Sequence, residues 1–386
     1  MRLGVDAHCA EREGEGNATY TRHLLRALAT LAGGDELVLF AGDPRHPFYA
    51  TLPARRGLSV VGVRQGRGVA RLGWSLARAA RAHGVDVLHV QYSAPAGYRG
   101  PLVVTVHDLA FFHVPDSFAR AERLALRALV ARSARRARRV ITASEFCRAD
   151  IGARYGLPPD RVLAIPNAAA ASFRPLAAGE IRAVLARYGL EPGFVLSLGR
   201  LNRRKNVERL LRAHEALRAR RPLPPLVIVG KPDYGAGDLR SGRERGPDGA
   251  VRLVGLLPDE DLAAFYAGAS CFVYPSLFEG FGLPVLEAMA CATPVIASDR
   301  TALPELVGDA GILVDPESVE ALSEAVRRLV DDRALALALG RRGLERSRRY
   351  SWTETARRTL AALHEAAGAP AVMASARSSA DSPFSA

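Results

Sequence analysis

Cysteine is scarce in this sequence and never occurs in a Cys-x-x-Cys pair, so neither a zinc ribbon nor a disulfide framework is indicated. The cysteines are Cys9, Cys147, Cys271 and Cys291. No apolar run approaches the roughly 20 residues that a membrane-spanning helix needs. The opening residues, Met1 to Asp6, are typical of a first strand rather than of a signal peptide. Together these absences predict a cytoplasmic protein.

Lysine is also nearly absent. Lys205 and Lys231 are the only lysines, so arginine supplies almost all of the formal net charge of +13. Two explanations stay open: a general use of arginine on the surface, or a surface for anions such as nucleic acid, phospholipid or phosphorylated sugars. The arginines are spread along the whole chain, without the interleaved aromatic residues of single-strand binders. We therefore do not expect a nucleic-acid partner.

Short apolar runs alternate with helical patterns along the 386 residues, which predicts an α/β fold with parallel sheets covered by helices. Asn17 and Ser144 are predicted to cap helices, and the second of these helices should end near Gly156. The first series of predicted strands is Leu3–Ala7, Glu36–Ala41, Ser59–Arg64, Asp86–Val90, Leu102–Val106, Arg139–Ala143 and Val162–Ile165. The second series is Phe194–Leu198, Leu226–Val229, Val251–Val254, Cys271–Tyr274, Pro294–Ala297 and Ile312–Val314.

Two series of strands predict two doubly wound, Rossmann-like domains, because a single core stops growing at about 250–300 residues. The small-residue stretch that begins at Asn167 is the best candidate for the linker. The predicted parts are a first domain over 1–167, a linker over 168–176, a second domain over 177–350, a final helix over 351–368 and a disordered tail over 369–386. Ligands of such sheets bind beyond the carboxyl ends of the strands, so the cleft between the domains is the expected site.

The strongest local pattern runs from Pro275 to Ala290, where a strand is followed by a glycine-containing turn and a helix with Pro284 in its first turn. Two glycines in the turn let the backbone approach a ligand closely, and free amides at a helix start attract an anion. Glu279 lies in the turn and Glu287 in the first turns of the helix, where their carboxylates can accept hydrogen bonds from sugar hydroxyls. The alternative is a tight turn with two surface acids.

A second pattern, Ser197 to Asn206, places Arg200 and Lys205 after a predicted strand and before a helix that begins near Lys205. A cationic loop at this position suits a diphosphate, although a solvated run of charge remains the alternative.

Two weaker patterns lie in the first domain. His107 ends an apolar strand and is expected to face the cleft, or else to be satisfied by a backbone carbonyl. The loop from Glu13 to Gly16 has amides for phosphate but lacks the G-x-G-x-x-G fingerprint. No histidine or carboxylate pattern indicates a metal site.

Taken together, these residues resemble the retaining glycosyltransferases of family four, which have the two-domain GT-B fold. The most specific match is Glu279 with Glu287, which corresponds to that family's pair of glutamates. The resemblance extends to about Ala366. Further matches are Gly199-Arg200, Lys205-Asn206, His107-Asp108, Ser144-Glu145-Phe146, Ile165-Pro166-Asn167 and Thr293-Pro294-Val295-Ile296-Ala297-Ser298.

The resemblance implies a role for each matching residue. Arg200 and Lys205 would bind the donor diphosphate and stabilise the leaving group, and Glu287 would bind the ribose. Glu279 would contact the transferred sugar near the amides of a glycine-rich turn. That turn consists of Gly280, Phe281, Gly282 and Leu283.

In the first domain, which would hold the acceptor, His107 would contact the donor sugar and Gly16 would line the phosphate side. The final helix would cross back onto that domain.

The same resemblance implies a retaining, metal-independent hexosyltransferase whose co-substrate is a nucleotide-diphosphate sugar. The stretch from His107 to Phe111 is similar to that of the family's mannosyltransferases, so GDP-mannose is the first expectation and a UDP-sugar the second. The expected acceptor is a saccharide or a lipid-linked sugar in cell-surface polysaccharide or glycoconjugate synthesis. Alternatives are a catalytically silent nucleotide-sugar-binding protein or another GT-B enzyme, such as a phosphorylase or an epimerase.

At two positions where the family usually has glycine, this chain has Ala168 and Ala292. A positive φ at either position would strain the backbone. In the loop expected near the phosphates, Glu15 adds a carboxylate that would repel them.

One further helix, predicted from Arg120 to Arg139, is rich in arginine and leucine. It could rest on an anionic membrane at the inner face of the plasma membrane, or instead bury its apolar stripe in the core.

Overall fold

A computed structural model describes residues 1–12, 14, 16–63, 74–231, 244–245 and 250–368. The chain divides into two compact units. Of the described residues, unit 1 contains Met1–Phe112, Arg120–Asn167 and the chain from Ser351 to Gly368, and unit 2 contains His113–Ala119 and Ala168–Tyr350. The tail predicted over 369–386, as well as Arg64 and Glu15, lies outside the described residues.

Unit 1 is built on one parallel sheet whose strand order is β3-β2-β1-β4-β5-β6-β7. This is the order of a doubly wound fold, and its direction reverses between β1 and β4. Most of these strands are buried along nearly their whole length, because helices cover both faces of the sheet. The strands are β1 (Arg2–Asp6), β2 (Glu36–Ala41), β3 (Leu58–Gly62), β4 (Val87–Gln91), β5 (Leu102–Thr105), β6 (Arg139–Thr142) and β7 (Val162–Ala164).

The last helix of the chain packs within unit 1. It begins after Ser351, whose hydroxyl accepts a hydrogen bond from the amide of Glu354, and its residues Ala362 and Leu363 join Leu24 in one core cluster. The helices of this unit are α1 (Gly16–Leu31), α2 (Pro47–Ala50), α3 (Leu76–Ala82), α4 (Ala110–His113, which ends at the unit boundary), α5 (Arg120–Arg136), α6 (Glu145–Tyr155) and α14 (Trp352–Ala367).

Unit 2 repeats the doubly wound order in its own sheet, β10-β11-β9-β8-β12-β13-β14, and only β10 runs antiparallel to its neighbour. The strands are β8 (Val195–Leu198), β9 (Leu226–Val229), β10 (Glu244–Arg245), β11 (Val251–Gly255), β12 (Cys271–Tyr274), β13 (Val295–Ser298) and β14 (Ile312–Val314). The helices are α7 (Ala178–Ala186), α8 (Val207–Arg218), α9 (Asp259–Gly268), α10 (Leu283–Ala290), α11 (Leu303–Val307), α12 (Val319–Asp331) and α13 (Arg333–Ser347).

The predicted α/β fold class is confirmed, and apart from the unpredicted β10 the strands lie within one or two residues of their expected bounds. The cap at Ser144 is also confirmed, since its hydroxyl accepts from the amide of Cys147 and the helix ends at the left-handed Gly156. The cap at Asn17 is wrong. Helix α1 already begins at Gly16, and the carbonyl of Asn17 accepts a hydrogen bond from the hydroxyl of Thr21, as expected inside a helix.

One of the two alanines at glycine positions of the family is strained. Ala292 has a φ of 59°, in the left-handed region. The φ of Ala168 is not positive. A left-handed conformation costs a residue with a Cβ about 1 kcal/mol or more. We expect Ala292→Gly to raise the free energy of unfolding by about 1 kcal/mol, measured by chemical denaturation.

Ala168→Gly is the matched control, because Ala168 does not have a positive φ, so glycine relieves no strain there while it removes a buried methyl and adds backbone entropy to the unfolded chain. It should lower the unfolding free energy by about 0.5–1 kcal/mol. The same sign of change at both positions would contradict the strain at Ala292.

Candidate functional site

A buried ion pair lies at the carboxyl ends of two neighbouring strands of unit 2, β8 and β12. The loop after β8 passes through a 3-10 turn, Arg203–Lys205, before α8 begins, and this turn directs Lys205 back over the sheet. The ammonium of Lys205 donates to Glu279 Oε1 at 2.6 Å and to the hydroxyl of Tyr274, whose ring centroid lies 4.7 Å away. The side chain of Lys205 is buried, so this cation acts at low dielectric.

Glu279 is held as a carboxylate by several donors. Ser276 Oγ donates to Oε1 at 2.5 Å, and Arg204 Nη1 lies 3.5 Å from Oε2. Burial alone would raise the pKa of this carboxyl, but the charges of Lys205 and Arg204 together with the hydrogen bonds lower it to about 2. Glu279 is therefore ionised at neutral pH, and the cluster holds two cations and one anion.

The turn between Glu279 and α10 requires glycine at one position. Gly282 has a φ of 106°, and a Cβ there would lie 2.6 Å from a methyl carbon of Leu303. Helix α10 begins at the next residue with Pro284 in its first turn and without a side-chain cap, as the sequence predicted for Pro284. The backbone amides of Gly280, Phe281 and the first residues of α10 therefore follow Glu279 directly in the chain. Free amides at the start of a helix attract anions.

Glu287 lies in α10 but has a different environment from Glu279. Tyr266 donates its hydroxyl to Glu287 Oε2 at 2.9 Å. Burial raises the pKa of Glu287 to about 7, against the opposing effect of the Tyr266 hydrogen bond and with a smaller contribution from Asp259. This carboxyl changes its charge near neutral pH and can then accept hydrogen bonds from hydroxyl groups.

Arg200 follows β8 at the same edge of the sheet, and its side chain is exposed. The preceding Gly199 makes room for the lysine, since a Cβ at Gly199 would lie 3.4 Å from Lys205 Cε. Both predicted cations thus occur in one loop, while Lys205 alone of the two is buried.

The two predicted residues of unit 1 lie at the carboxyl edge of its own sheet. His107 follows β5, and Gly16 is the exposed first residue of α1, which follows β1. Tyr20, one turn after Gly16, meets the imidazole of His107 edge-on with ring centroids 4.7 Å apart. Burial lowers the pKa of His107 to about 3, and nearby His89 adds to the effect, so the ring is neutral.

Several residues of the cluster were not predicted to be functional. Arg204 lies in the cationic pattern from Ser197 to Asn206, and its place beside Lys205 was a usable signal. Tyr274 ends the strand before the glycine-containing turn, but a tyrosine in a buried strand carries no such signal. Tyr266 lies on α9, and only the packing of α9 on α10 brings it to Glu287.

No group of three or more histidine, cysteine, aspartate or glutamate side chains is arranged for a metal ion in the part of the chain that the structure describes.

Comparisons with known proteins identify the family of the chain. A model of the glycosyl transferases group 1 matches residues 181–346, and a model of Glycosyltransferase Family 4 matches residues 15–172. O-antigen chain mannosyltransferase B of Escherichia coli is 35% identical over 261 residues, which are 67% of this chain and 68% of that protein. Serotype-specific mannosyltransferase WbdA of Escherichia coli is 34% identical over 203 residues, which are 51% of this chain but only 25% of WbdA.

The fold is shared with a solved structure. Sucrose-phosphate synthase from Thermosynechococcus elongatus superimposes with a TM-score of 0.70 at 24% identity, covering 93% of this chain and 97% of that one. The two family models together cover most of both doubly wound units, and their boundary falls near the change from unit 1 to unit 2. The chain therefore belongs to the family-four, group 1 glycosyltransferases, which have the GT-B fold.

Proposed function

We propose that this glycosyltransferase moves mannose from GDP-mannose to a saccharide or lipid-linked acceptor, with retention of configuration and without a metal ion. The observation that carries the proposal is the buried Lys205–Glu279 pair beside the start of α10. A departing nucleoside diphosphate gains negative charge, and a metal-free site must stabilise that charge with side-chain cations and oriented amides. Arg204 and Lys205 against the single carboxylate Glu279 give the cluster that positive balance.

Each site residue has a proposed role. Arg200 and Lys205 bind the diphosphate together with amides of the turn, and Glu287 accepts hydrogen bonds from the ribose. Glu279 orients the transferred sugar. The turn consists of Gly280, Phe281, Gly282 and Leu283.

From unit 1, His107 is assigned to the donor sugar and Gly16 to the phosphate side. The acceptor is assigned to the same unit.

The proposed reaction needs no protein nucleophile. The bond from the anomeric carbon to the diphosphate oxygen breaks, and its electron pair leaves on that oxygen. The acceptor hydroxyl oxygen then bonds the anomeric carbon from the same face, and its proton passes to the departing diphosphate. Lys205 and Arg200 act by lowering the energy of the charge that grows on the leaving group.

The choice of mannose is supported by the relatives, since O-antigen chain mannosyltransferase B aligns with two thirds of this chain. Its name also supports a polysaccharide acceptor. A silent sugar-nucleotide-binding protein is less favoured, because the relatives that align with half to two thirds of this chain are named as transferases.

Thermal stabilisation by nucleotides tests the donor. GDP-mannose at about a hundred times its dissociation constant should add roughly 2.7 kcal/mol to the stability of the unit that binds it. We expect GDP and GDP-mannose to raise the melting temperature more than UDP, ADP or their sugar conjugates do, and EDTA to leave the shift unchanged. A larger rise in melting temperature with UDP-glucose than with GDP-mannose would contradict mannose as the transferred sugar. A product whose anomeric configuration is inverted, as NMR coupling constants would show, would contradict retention.

A second proposal concerns peripheral contact with an anionic membrane on the cytoplasmic side. No helix in the described part of the chain has the length and apolarity to cross a bilayer. The proposal is supported by the first half of α5, because the buried residues of this helix, Val130, Ser133 and Ala134, all lie in its second half. Leu124 is 62% exposed and Arg120 near it is exposed, a combination that suits acidic headgroups, whereas Arg127 packs over the ring of Phe112 at 4.5 Å.

Leu124→Glu should weaken retention on anionic vesicles, because it removes exposed apolar surface and adds a repelled charge. Co-flotation with vesicles of phosphatidylglycerol and phosphatidylcholine, compared with phosphatidylcholine alone, measures the effect. Leu337→Glu is the matched control, since Leu337 is 54% exposed on α13 of unit 2. We expect several-fold less binding for the first variant only; equal flotation of both variants would contradict the membrane role of α5.

A further inference from the structure

A chain of hydrogen bonds connects the backbone of α1 to His107. The hydroxyl of Thr21 donates to the backbone carbonyl of Asn17 at 2.6 Å. The side-chain nitrogen of Gln91, Nε2, donates to Thr21 Oγ1 at 2.6 Å. The other end of the same amide, Gln91 Oε1, lies 2.7 Å from His107 Nε2. Asn17 and Thr21 belong to α1, Gln91 ends β4, and His107 lies two residues after the end of β5.

The hydrogen bond from Thr21 to Asn17 fixes which group donates and which accepts in the two hydrogen bonds that follow. A threonine hydroxyl has one hydrogen, and the backbone carbonyl of Asn17 can only accept it. The oxygen of Thr21 must therefore accept from Gln91, so the NH₂ end of that amide faces Thr21. The carbonyl end then faces His107 and can only accept, which places the hydrogen of the imidazole on Nε2.

The ring that results is neutral and oriented. Burial and the proximity of His89 keep the pKa of His107 near 3, so Nδ1 retains its lone pair at neutral pH. Tyr20 meets the ring edge-on at 82°, and Tyr92 also meets it edge-on, at 61° with centroids 5.5 Å apart. The imidazole is thus constrained both by hydrogen bonding and by aromatic contacts.

We propose that Gln91 and Thr21 are positioning residues that hold His107 in the Nε2–H tautomer, so that Nδ1 accepts a hydrogen bond from a hydroxyl of the transferred sugar. This inference rests on the proposed function, in which His107 contacts the donor sugar. A neutral acceptor nitrogen favours a hydroxyl donor and disfavours phosphate oxygens, because two lone pairs would face each other. The pair Gln91–Thr21 therefore contributes to the selection of the sugar rather than to the binding of the diphosphate.

NMR of the wild-type protein labelled with ¹⁵N-histidine tests the tautomer without any donor. In a long-range ¹H–¹⁵N correlation, a neutral Nε2–H imidazole and a neutral Nδ1–H imidazole give different cross-peak patterns. The signals that disappear in His107→Asn identify the residue. We expect the Nε2–H pattern at pH 7; the Nδ1–H pattern or an imidazolium would overturn the inference.

Thr21→Val tests the anchor, because it keeps the shape of the side chain and removes the oxygen that orients Gln91. Its matched control is Thr359→Val. Thr359 is also a buried helical threonine of unit 1, and its hydroxyl donates to the carbonyl four residues earlier at 2.8 Å. We expect Thr21→Val to mix the tautomers and to lower kcat/KM about five- to tenfold, as loss of one net hydrogen bond implies. Thr21→Ser should restore both readouts, and Thr359→Val should change neither.

Two outcomes separate the inference from the function on which it rests. A Thr21→Val protein with wild-type tautomer and wild-type kcat/KM overturns the positioning role while hexose transfer stands. Absence of transfer by the wild-type enzyme from every nucleotide sugar overturns the proposed function, whatever the NMR spectrum shows.

Discussion

Replacing Lys205 with alanine should lower kcat for sugar transfer by about 10²–10³, the usual effect of losing one preorganised contact to a charge that develops in the transition state. The ammonium of Lys205 is buried and fixed by Glu279 and Tyr274. Water that fills its place in the alanine variant would therefore not restore the lost stabilisation of charge. Turnover is measured at saturating donor, where a loss of kcat distinguishes transition-state stabilisation from weaker binding.

The stability of this variant has to be measured alongside. Removing one partner of a buried ion pair typically costs about 3–5 kcal/mol, but Arg204 and Ser276 remain to hold Glu279. We therefore expect a smaller loss of stability and a folded protein. Lys231→Ala is the matched control, because it removes the other lysine, which is exposed just after β9, and changes the net charge equally. A folded Lys205→Ala enzyme that turns over at the rate of Lys231→Ala would disprove the role of Lys205.

The contact between Lys205 and Glu279, which are 74 residues apart, could be anticipated from the sequence. Both residues follow buried strands, and in a doubly wound sheet the first and fourth parallel strands of a unit are neighbours. Those strands are β8 and β12 here, because the antiparallel β10 is not part of the parallel series. The strands themselves were predictable because parallel strands buried on both faces appear as short apolar runs between turn residues.

Other features required the packed structure. The start of α1 was missed because Gly16 has no capping signal and Asn17 has one, although the helix includes both. The two-residue β10 is too short to produce a periodic pattern. The hydrogen bond from Tyr266 to Glu287 depends on how α9 packs against α10, which no spacing within either helix reveals.

The two glutamates that define the family resemblance show most clearly what a sequence pattern does not predict. Glu279 and Glu287 are the same residue type and both buried, yet the pKa of the first is lowered to about 2 and that of the second is raised to about 7. The difference arises from neighbours: two cationic side chains face Glu279, whereas a neutral tyrosine faces Glu287. A sequence pattern specifies the residue type but not the field around it.

This difference predicts opposite effects of the same substitution on stability. Glu287 has a folded pKa of about 7, above the ordinary value of 4.5, so its protonated form is favoured in the folded state. The contribution of Glu287 to stability is then highest below pH 4.5, falls as the pH rises through the interval from 4.5 to 7, and levels off above it. Glutamine stays neutral and can still accept from Tyr266. Glu287→Gln should therefore raise the unfolding free energy at pH 8 by about 3 kcal/mol and leave it nearly unchanged at pH 4.

Glu279→Gln is the control with the opposite sign. The lowered pKa of Glu279 contributes stability that is present above the ordinary pKa and is lost as the pH falls toward 2, so its removal should destabilise the protein at neutral pH. Denaturant titrations of both variants between pH 4 and pH 8 measure the two profiles. A Glu287→Gln protein that is less stable than wild type at pH 8 would contradict the buried, weakly acidic carboxyl that the structure shows.

The gain in stability should be accompanied by a loss of function. A ribose hydroxyl donates to a carboxylate more strongly than to a neutral amide, and hydrogen bonds to charged groups contribute about 1.5–3 kcal/mol. We expect Glu287→Gln to raise the dissociation constant of GDP about 10- to 100-fold at pH 8, by calorimetry, and far less at pH 5, where the wild-type carboxyl is itself protonated. Ionised Glu287 would then lower the stability of the fold and strengthen the binding of the nucleotide. Such a residue serves binding at the expense of stability. Equal affinities of the variant and the wild type at pH 8 would remove Glu287 from the nucleotide site.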